Sequence, residues 1–242
     1  MALVPLCVVI LSRNEAVNIA QCLHSVVGWA EQVCVIDDRS TDGTRAIVKE
    51  HGATVVEHAF VGYVEQRNWA LRELPIRHEW VLFLDADEYP TEELKGEIVE
   101  VTSNEKRETS EINGYYIKRR FMWEGQWIRH GGYYPVWILR LMRHRFARCE
   151  GQLMDEHFVV EGAVGYLKND FLHDDRRGLA DWKVKHRRYA VLKAREWAER
   201  RKEKKEERKT NGDREQTRLA GRRSVYDSLP LFLRAFLYFG YV

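Results

Sequence analysis

The sequence has few cysteines and no recognisable export signal. Its four cysteines, Cys7, Cys22, Cys34 and Cys149, show no Cys-x-x-Cys spacing within 242 residues, which argues against a disulfide framework and against a thiolate zinc site. The N-terminus enters a strand pattern directly, without a basic region and a long apolar stretch, so no secretory signal is expected. These absences predict a cytoplasmic protein.

Net charge is also small, at +2, but it is unevenly distributed. Residues 1–175 carry 19 Lys and Arg against 28 Asp and Glu, a net charge of −9, whereas residues 176–223 carry 19 against 8, a net charge of +11. An acidic body with a basic tail is consistent with attachment to an anionic surface, and a solvated charged helix explains the tail equally well. We expect peripheral contact with the cytoplasmic face of the inner membrane and no nucleic-acid partner.

The last segment, Leu229–Val242, is apolar apart from Arg234. It is shorter than the roughly 20 residues that span a bilayer. It is therefore expected to be an interfacial segment or the beginning of a longer tail.

Apolar periodicity predicts an α/β fold. Short, continuous apolar runs are typical of strands buried on both faces of a parallel sheet, and helical spacing follows them. The predicted strands are Leu6–Leu11, Gln32–Ile36, Ala53–Glu57 and Trp80–Leu84, and the predicted helices are Ala16–Val27, Arg45–His51 and Val64–Leu74. Repeated strand–helix units favour a doubly wound sheet.

The pattern changes after residue 102. Longer aromatic strands are predicted at Gly114–Met122, Val136–Met142 and Ala163–Lys168, followed by a long helix at Arg177–Lys209. We therefore expect one domain over residues 1–175, with halves 1–102 and 103–175, and a basic helical extension over residues 176–242.

Polar clusters follow three of the predicted strands, at the edge where open parallel sheets bind ligands. In Asp85-Ala86-Asp87, alternation along an extended chain would place both carboxylates on one side. Mg²⁺ and Mn²⁺ favour oxygen ligands and commonly bridge carboxylates to phosphates. The segment therefore predicts a divalent-cation site, although isolated Asp-x-Asp sequences are mostly surface turns.

The other two clusters have a structural and a functional interpretation. Asn14 and Glu15 could cap a helix or contact the base or ribose of a nucleotide. Asp37 and Asp38 precede a Ser-Thr-Asp-Gly-Thr turn, in which Thr41 or Asp42 would cap the next helix. This leaves Asp37 or Asp38 to bind a nucleotide.

Four ordered segments together resemble family 2 glycosyltransferases. They are Val-Val-Ile-Leu-Ser-Arg-Asn-Glu at Val8–Glu15, Val-Ile-Asp-Asp-Arg-Ser-Thr-Asp-Gly-Thr at Val35–Thr44, Gln-Arg-Asn-Trp-Ala at Gln66–Ala70, and Phe-Leu-Asp-Ala-Asp-Glu at Phe83–Glu88. The resemblance spans about the first 120 residues.

The resemblance implies a GT-A fold, which is Rossmann-like with a mostly parallel sheet, inversion at the anomeric carbon, and a nucleotide-sugar donor. Asp85 and Asp87 would hold a divalent cation (Mn²⁺ or Mg²⁺) and the diphosphate. The residues placed at the donor nucleotide are Ser12, Asn14, Glu15, Asp37 or Asp38, Arg67, Asp85 and Ala86.

The second half resembles, more loosely, the lipopolysaccharide-core β-glucosyltransferase branch of the family. The matching features are Tyr133–Arg143, the Glu156-His157 pair before a Val-Glu-Gly-Ala-Val-Gly segment, and His173. This resemblance implies Glu156 as the general base, with Asp155 as the second choice, although both acids could instead form surface ion pairs.

Six other residues of the second half are candidates for the site. His173 would bind the metal or the diphosphate, or else be a buried structural histidine. Arg140 and Arg143 could meet phosphates of a charged lipid acceptor. Trp127, Tyr133 and Tyr134 could stack on sugar rings or belong to the core.

The sequence therefore predicts a metal-dependent hexosyltransferase that moves a hexose, most simply glucose, from a UDP-sugar to a saccharide or glycolipid acceptor of the cell envelope. Transfer to a polyprenyl phosphate and a non-catalytic nucleotide-sugar-binding module are the alternatives. A nucleotidyltransferase is disfavoured, because Ser12–Ala16 contains no glycine.

Overall fold

The structure, a computed structural model, describes residues 3–102, 112–151 and 156–210. The chain divides into two units, Met1–Gly178 and Leu179–Val242. The helices are α1 (Ile19–Val26), α2 (Thr44–Glu50), α3 (Tyr63–Glu73), α4 (Glu92–Thr102) and α5 (Gly178–Thr210). The strands are β1 (Val4–Ser12), β2 (Ala30–Asp37), β3 (Thr54–Glu57), β4 (Trp80–Asp85), β5 (Glu88–Pro90), β6 (Ile112–Trp123), β7 (Gln126–Trp127), β8 (Val136–Arg143), β9 (Ala147–Glu150), β10 (His157–Val160) and β11 (Ala163–His173).

Within the described residues, nine strands form one mixed sheet in the order β3-β2-β1-β4-β8-β6-β11-β5, with β7 paired to β6. The pairs among β3, β2, β1 and β4 are all parallel. Strand β8 joins β4 and β6 antiparallel, and β11 lies parallel to β6. Strands β9 and β10 form a separate antiparallel pair. The predicted α/β class with a Rossmann-like sheet is confirmed.

Alternate residues of β1 belong to two hydrophobic clusters, one on each face of the sheet. Leu6, Val8 and Ile10 pack in a first cluster that includes residues of α1 and α4. Cys7 and Val9 pack in a second cluster that includes residues of α3 and Phe158 of β10. Because both faces are covered, β1 has the unbroken apolar run that made it recognisable in the sequence.

Several predicted boundaries differ from the structure. Helix α1 begins at Ile19 rather than Ala16, and Val17, which lay within the predicted helix, is 58% exposed. Strand β11 continues to His173, whereas the prediction ended it at Lys168. Its pairing with β6 is irregular between Tyr166 and Asp170, and this irregularity interrupts the alternation on which the prediction relied. Helix α4 and strands β5, β7, β9 and β10 were not predicted.

Helix α5 is the described part of the second unit, apart from its first residue. Among the residues that the structure describes, no helix has both the length and the apolar character needed to cross a membrane. The predicted apolar segment Leu229–Val242 lies outside the described residues. Membrane association of the extension therefore stays a prediction.

Candidate active site

The carboxyl ends of three neighbouring strands bring the polar clusters together. Ser12, the last residue of β1, pairs with Asp37 of β2, and Leu11 pairs with Asp85 of β4. Parallel register thus places residues from three separate segments at one edge of the sheet, as the sequence predicted.

Asp37 is fully buried at this edge. Its carboxylate accepts hydrogen bonds from the Ser12 hydroxyl at 3.1 Å and from the Ser40 backbone N–H at 2.9 Å. The Asp38 carboxylate accepts from the Arg13 guanidinium at 2.7 Å and from the Phe60 N–H at 3.0 Å, and it keeps some exposure. Ser12 and Asp37 thus tie two strand ends together, and Asp38 is the more accessible of the two carboxylates.

Asn14 and Glu15 also have structural partners. Asn14 adopts a left-handed backbone conformation (φ 52°), and its side-chain oxygen accepts a hydrogen bond from the Thr41 N–H at 2.8 Å. The Glu15 carboxylate accepts from the Asn18 amide at 2.8 Å and from Arg177 at 3.1 Å. Both side chains therefore brace the loop after β1.

Asp85 lies between two arginines. Its oxygens are 3.4 Å from Arg67 Nη2 and 3.0 Å from Arg140 Nη2. Desolvation raises the pKa of Asp85, but the positive charges of Arg140 and Arg67 outweigh it and hold that pKa well below its usual range. Asp85 is therefore an ionised carboxylate at neutral pH.

The expectation that Asp85 and Asp87 share one side of an extended segment is wrong. Strand β4 ends at Asp85, and Ala86 and Asp87 form a turn before β5. Asp87 has different partners: its Oδ2 lies 3.6 Å from His173 Nε2 and 3.9 Å from Arg177 Nη2. The turn thus directs the two acids to different neighbours.

Asp87 and His173 meet although they are 86 positions apart in the sequence, because β5 pairs with the end of β11. Burial by itself lowers the pKa of His173, but the negative charges of the nearby Asp87 and Glu88 carboxylates outweigh it and raise that pKa. The described residues contain no group of three or more His, Cys, Asp or Glu side chains that would hold a metal. Two protein ligands fit a cation that takes its remaining ligands from phosphate and water, as Mg²⁺ commonly does.

Glu156 lies just before β10, and Arg67 links it to the strand ends. Arg67 Nη1 donates to Glu156 Oε1 at 3.1 Å while Nη2 contacts Asp85. Arg67 itself is 5% exposed and packs beside the rings of Tyr63 and Phe158. The predicted base and the first acid of the Asp-x-Asp segment therefore share one buried cation. Asp155 lies outside the described residues.

The sequence prediction did not identify the partners of Arg140. Its Nη2 is 2.7 Å from Glu88 Oε1 and 3.0 Å from Asp85, and its side chain is buried. The prediction that Arg140 meets an acceptor phosphate is therefore wrong, because these carboxylates already occupy it. Arg143 instead pairs with Glu79 at 3.2 Å. An arginine inside the apolar run of β8 was the available signal, since a buried guanidinium requires buried acids.

Replacing Arg140 by alanine is expected to destabilise the fold by about 3 to 5 kcal/mol, because it leaves the Glu88 carboxylate, 1% exposed, without its arginine partner. Urea unfolding followed by circular dichroism measures the change. Arg143→Ala is the matched control, with an expected loss of about 1 kcal/mol or less, since Glu79 is solvent-exposed. Equal midpoints for Arg140→Ala and the wild type would contradict this assignment.

The aromatic residues predicted to line the site pack among themselves. The Trp127 ring meets the Tyr134 ring edge-on at 4.9 Å, and the Tyr134 hydroxyl donates to Asp170 at 3.2 Å. Tyr133 stacks on Phe121, which in turn lies 5.5 Å from His173. Their role toward a sugar stays a prediction.

The sequence profile described as "Glycosyl transferase family 2" matches residues 7–172, more than half of the chain. The chain belongs to this family. The predicted family is thereby confirmed, and the Rossmann-like mixed sheet is of the GT-A type.

Two curated relatives illustrate the similarity. An uncharacterized glycosyltransferase of Rickettsia prowazekii (strain Madrid E) is 35% identical over 116 residues, which cover 48% of this chain and 38% of the relative. The lipopolysaccharide core biosynthesis glycosyltransferase LpsC of Rhizobium meliloti (strain 1021) is 29% identical over 202 residues, covering 78% of this chain and 70% of LpsC. The chain thus spans well under half the length of the first relative.

Solved structures show a weaker likeness. TarS residues 1–349 of S. aureus align with a TM-score of 0.44 and 20% identity over 58% of this chain and 47% of that chain. Glucosyl-3-phosphoglycerate synthase of Mycobacterium tuberculosis, solved with Mn²⁺, UDP and glucosyl-3-phosphoglycerate, aligns with a TM-score of 0.39 and 21% identity, covering 48% and 44% of the two chains.

Proposed function

We propose that this chain is an inverting, metal-dependent hexosyltransferase that moves a hexose, most simply glucose, from a UDP-sugar to a lipopolysaccharide-core or related cell-envelope acceptor. The observation that carries the proposal is the arrangement around Arg67, which holds Asp85 at the donor edge and Glu156 beside it. A donor-binding edge and a carboxylate for the acceptor are the two parts that an inverting transfer requires.

The donor would lie across the carboxyl ends of β1, β2 and β4. Asp38 is the accessible carboxylate for the nucleotide, with Ser12, Asn14, Glu15 and Asp37 shaping the loops around it. Asp87 and His173 would hold the divalent cation through Oδ2 and Nε2. The bound cation would neutralise charge on the diphosphate as a Lewis acid. Asp85 is assigned to position Arg67 and Arg140 rather than to bind the ion directly.

Glu156 is the proposed general base. An inverting displacement needs a group that accepts the proton of the acceptor hydroxyl while the anomeric carbon is attacked from the face opposite the diphosphate. The hydrogen bond from Arg67 fixes the direction of this carboxylate, and Glu156 keeps 19% of its side chain exposed. The product would therefore have the anomeric configuration opposite to that of the donor.

The acceptor class is supported by the similarity to LpsC, whose name places it in lipopolysaccharide core biosynthesis. The basic helix α5 would contribute electrostatic attraction to an anionic membrane surface. Location at the cytoplasmic face of the inner membrane stays a prediction.

Thermal-shift measurements with UDP test the donor site. A ligand at a hundredfold its Kd stabilises the fold by about 2.7 kcal/mol. We expect UDP with Mn²⁺ to raise the melting temperature more than UDP alone, because the proposed cation neutralises the diphosphate and so strengthens binding. Uridine, which lacks the diphosphate, is the control and should show no added effect of Mn²⁺. Equal shifts for UDP with and without Mn²⁺ would contradict the proposed metal–diphosphate site.

A further inference from the structure

One face of β6, β8 and β11 carries three adjoining aromatic side chains. Tyr166 of β11 pairs with Tyr116 of β6, and their rings stack at 5.2 Å. Trp137 of β8 meets the Tyr166 ring edge-on at 5.1 Å. Tyr166 is 62% exposed and Trp137 is 40% exposed. These three residues, the aromatic row, adjoin one another, with Tyr116 partly buried beneath the exposed Tyr166 and Trp137.

The aromatic row lies on the same face of the sheet as Glu156. Strand β10 starts directly after Glu156. It packs on the face of β6 that carries Gly114 and, two residues later, Tyr116, since a Cβ placed on Gly114 would lie 3.2 Å from Val160 of β10. Tyr116 also packs against the second hydrophobic cluster, which contains Phe158 of β10. The row therefore continues the surface on which the proposed base lies.

Positive charge borders the aromatic row. Lys118, opposite Trp137 in the register of β6 and β8, has its Nζ 5.6 Å from the Trp137 ring. The guanidinium groups of Arg120 and Arg129 lie 4.3 Å and 4.2 Å from the Trp127 ring. We call Lys118, Arg120 and Arg129 the basic cluster.

The basic cluster has an excess of positive charge. Asp170, which is buried, pairs with Lys118 at 3.4 Å and with Arg120 at 2.8 Å. Among the salt bridges of the described residues, it is the one carboxylate that pairs with any of the three cations. Arg129 is exposed. One negative charge against three positive charges leaves a surface suited to an anion.

Exposed aromatic faces and guanidinium groups together favour a particular class of ligand. Aromatic side chains with a polar tip offer rigid apolar area at a wet surface, which suits the apolar faces of sugar rings. Arginine binds phosphate and carboxylate through directed hydrogen bonds. A lipid surface or an apolar protein partner would need a wider apolar patch, without charged residues beside the rings.

We infer that this face is the acceptor subsite and that the acceptor is an anionic saccharide. Its sugar rings lie over Trp137 and Tyr166, and its phosphate or carboxylate group faces the basic cluster. This inference rests on the proposed function, because it names the acceptor class for the same site.

The test uses the full chain and measures acceptor binding and donor turnover separately. The probes are deacylated lipopolysaccharide core oligosaccharide, the same oligosaccharide after dephosphorylation, and the neutral sugar maltotetraose, each titrated by calorimetry. The test variants are Trp137→Ala and Arg129→Ala. Phe146→Ala is the matched aromatic control, since Phe146 is also 40% exposed, and Arg72→Ala replaces an exposed arginine of α3.

Both test variants are expected to weaken binding of the charged oligosaccharide about five- to tenfold, as expected when one stacking or ion-pairing side chain is lost. They should raise the KM for the acceptor and leave the KM for the UDP-sugar unchanged. Trp137→Ala should also weaken maltotetraose binding, whereas Arg129→Ala should not. If dephosphorylation removes the effect of Arg129→Ala, phosphate is the anion, and if it does not, the anion is carboxylate.

Unchanged oligosaccharide affinity in both test variants would overturn the inference, as would an equal loss in the two controls. A raised KM for the donor alone would also overturn it. So would a result in which Trp137 is needed for binding phosphatidylglycerol vesicles and not for binding the saccharide. Hydrolysis of the UDP-sugar without acceptor reports on the proposed function independently. Hydrolysis by the wild type, together with unchanged oligosaccharide affinity in Trp137→Ala and Arg129→Ala, would refute the acceptor subsite and leave the proposed function intact.

Discussion

Glu156→Gln is expected to lower the rate of transfer about 10²- to 10⁴-fold, the range typical of a lost general base. The amide oxygen of glutamine can still accept the hydrogen bond that Arg67 donates to Oε1, so the position of Arg67 should be preserved. What the variant loses is the ability to take the proton of the acceptor hydroxyl. Initial rates at saturating UDP-sugar and acceptor measure the effect.

Donor binding gives the control for this substitution. The thermal shift with UDP and Mn²⁺ should be the same in Glu156→Gln and in the wild type, because Glu156 is assigned to the acceptor. Glu161→Gln changes an exposed glutamate in the turn after β10 and should leave the rate unchanged. Undiminished transfer by Glu156→Gln would refute the assignment of the base, and a wild type that binds UDP without turnover would indicate a non-catalytic module.

Asp87→Asn is expected to lower turnover about 10²- to 10³-fold, comparable with the loss of one preorganised group that stabilises developing charge. The substitution keeps the size of a side chain that is 7% exposed but removes the charge beside His173. The dependence of the rate on Mn²⁺ concentration should shift to higher concentrations at the same time, because one of the two proposed ligands is weakened.

The matched control for Asp87→Asn is Asp181→Asn, which neutralises an exposed aspartate in the first turn of α5. It should leave both turnover and the Mn²⁺ dependence unchanged. If Asp87→Asn kept wild-type turnover and the same Mn²⁺ dependence while remaining folded, Asp87 would have no part in binding the cation.

The parallel half of the fold was predictable because burial on both faces leaves a direct mark on the sequence. Strands β1, β2 and β4 each contain an unbroken apolar run, and all three were predicted. Helix α4 was missed because its buried residues Leu94 and Ile98 lie within an acidic segment that also contains Gly96. Strands β9 and β10 are four residues each, too short for alternation to distinguish them from loop.

The location of the candidate site was predictable from strand ends, whereas its pairings were not. The parallel register of β1 and β2 places Ser12 beside Asp37 independently of the conformation of the loops that follow. The Arg67–Glu156 contact joins residues 89 positions apart, and no local pattern encodes it. The sequence also could not show that Asp37 is fully buried while Asp38 is not, since both follow the same strand.

The turn at Ala86 and Asp87 shows how a sequence motif can mislead about geometry. The motif predicted two acids acting on one ion because an extended chain was assumed. The structure separates them into an arginine-bound Asp85 and a histidine-bound Asp87. Under the proposal, the acidic motif supplies one carboxylate to the cation and one to the ion-pair network that holds Arg67.

Titration of Mn²⁺ followed by electron paramagnetic resonance, with and without UDP, tests this division most directly. One tightly bound ion per chain is expected only when UDP is present, because Asp87 and His173 provide two ligands and the diphosphate must provide others. Binding should be lost in the Asp87→Ala, His173→Ala double variant. Tight Mn²⁺ binding that persists in that folded double variant, or its absence in the wild type with saturating UDP, would contradict the account.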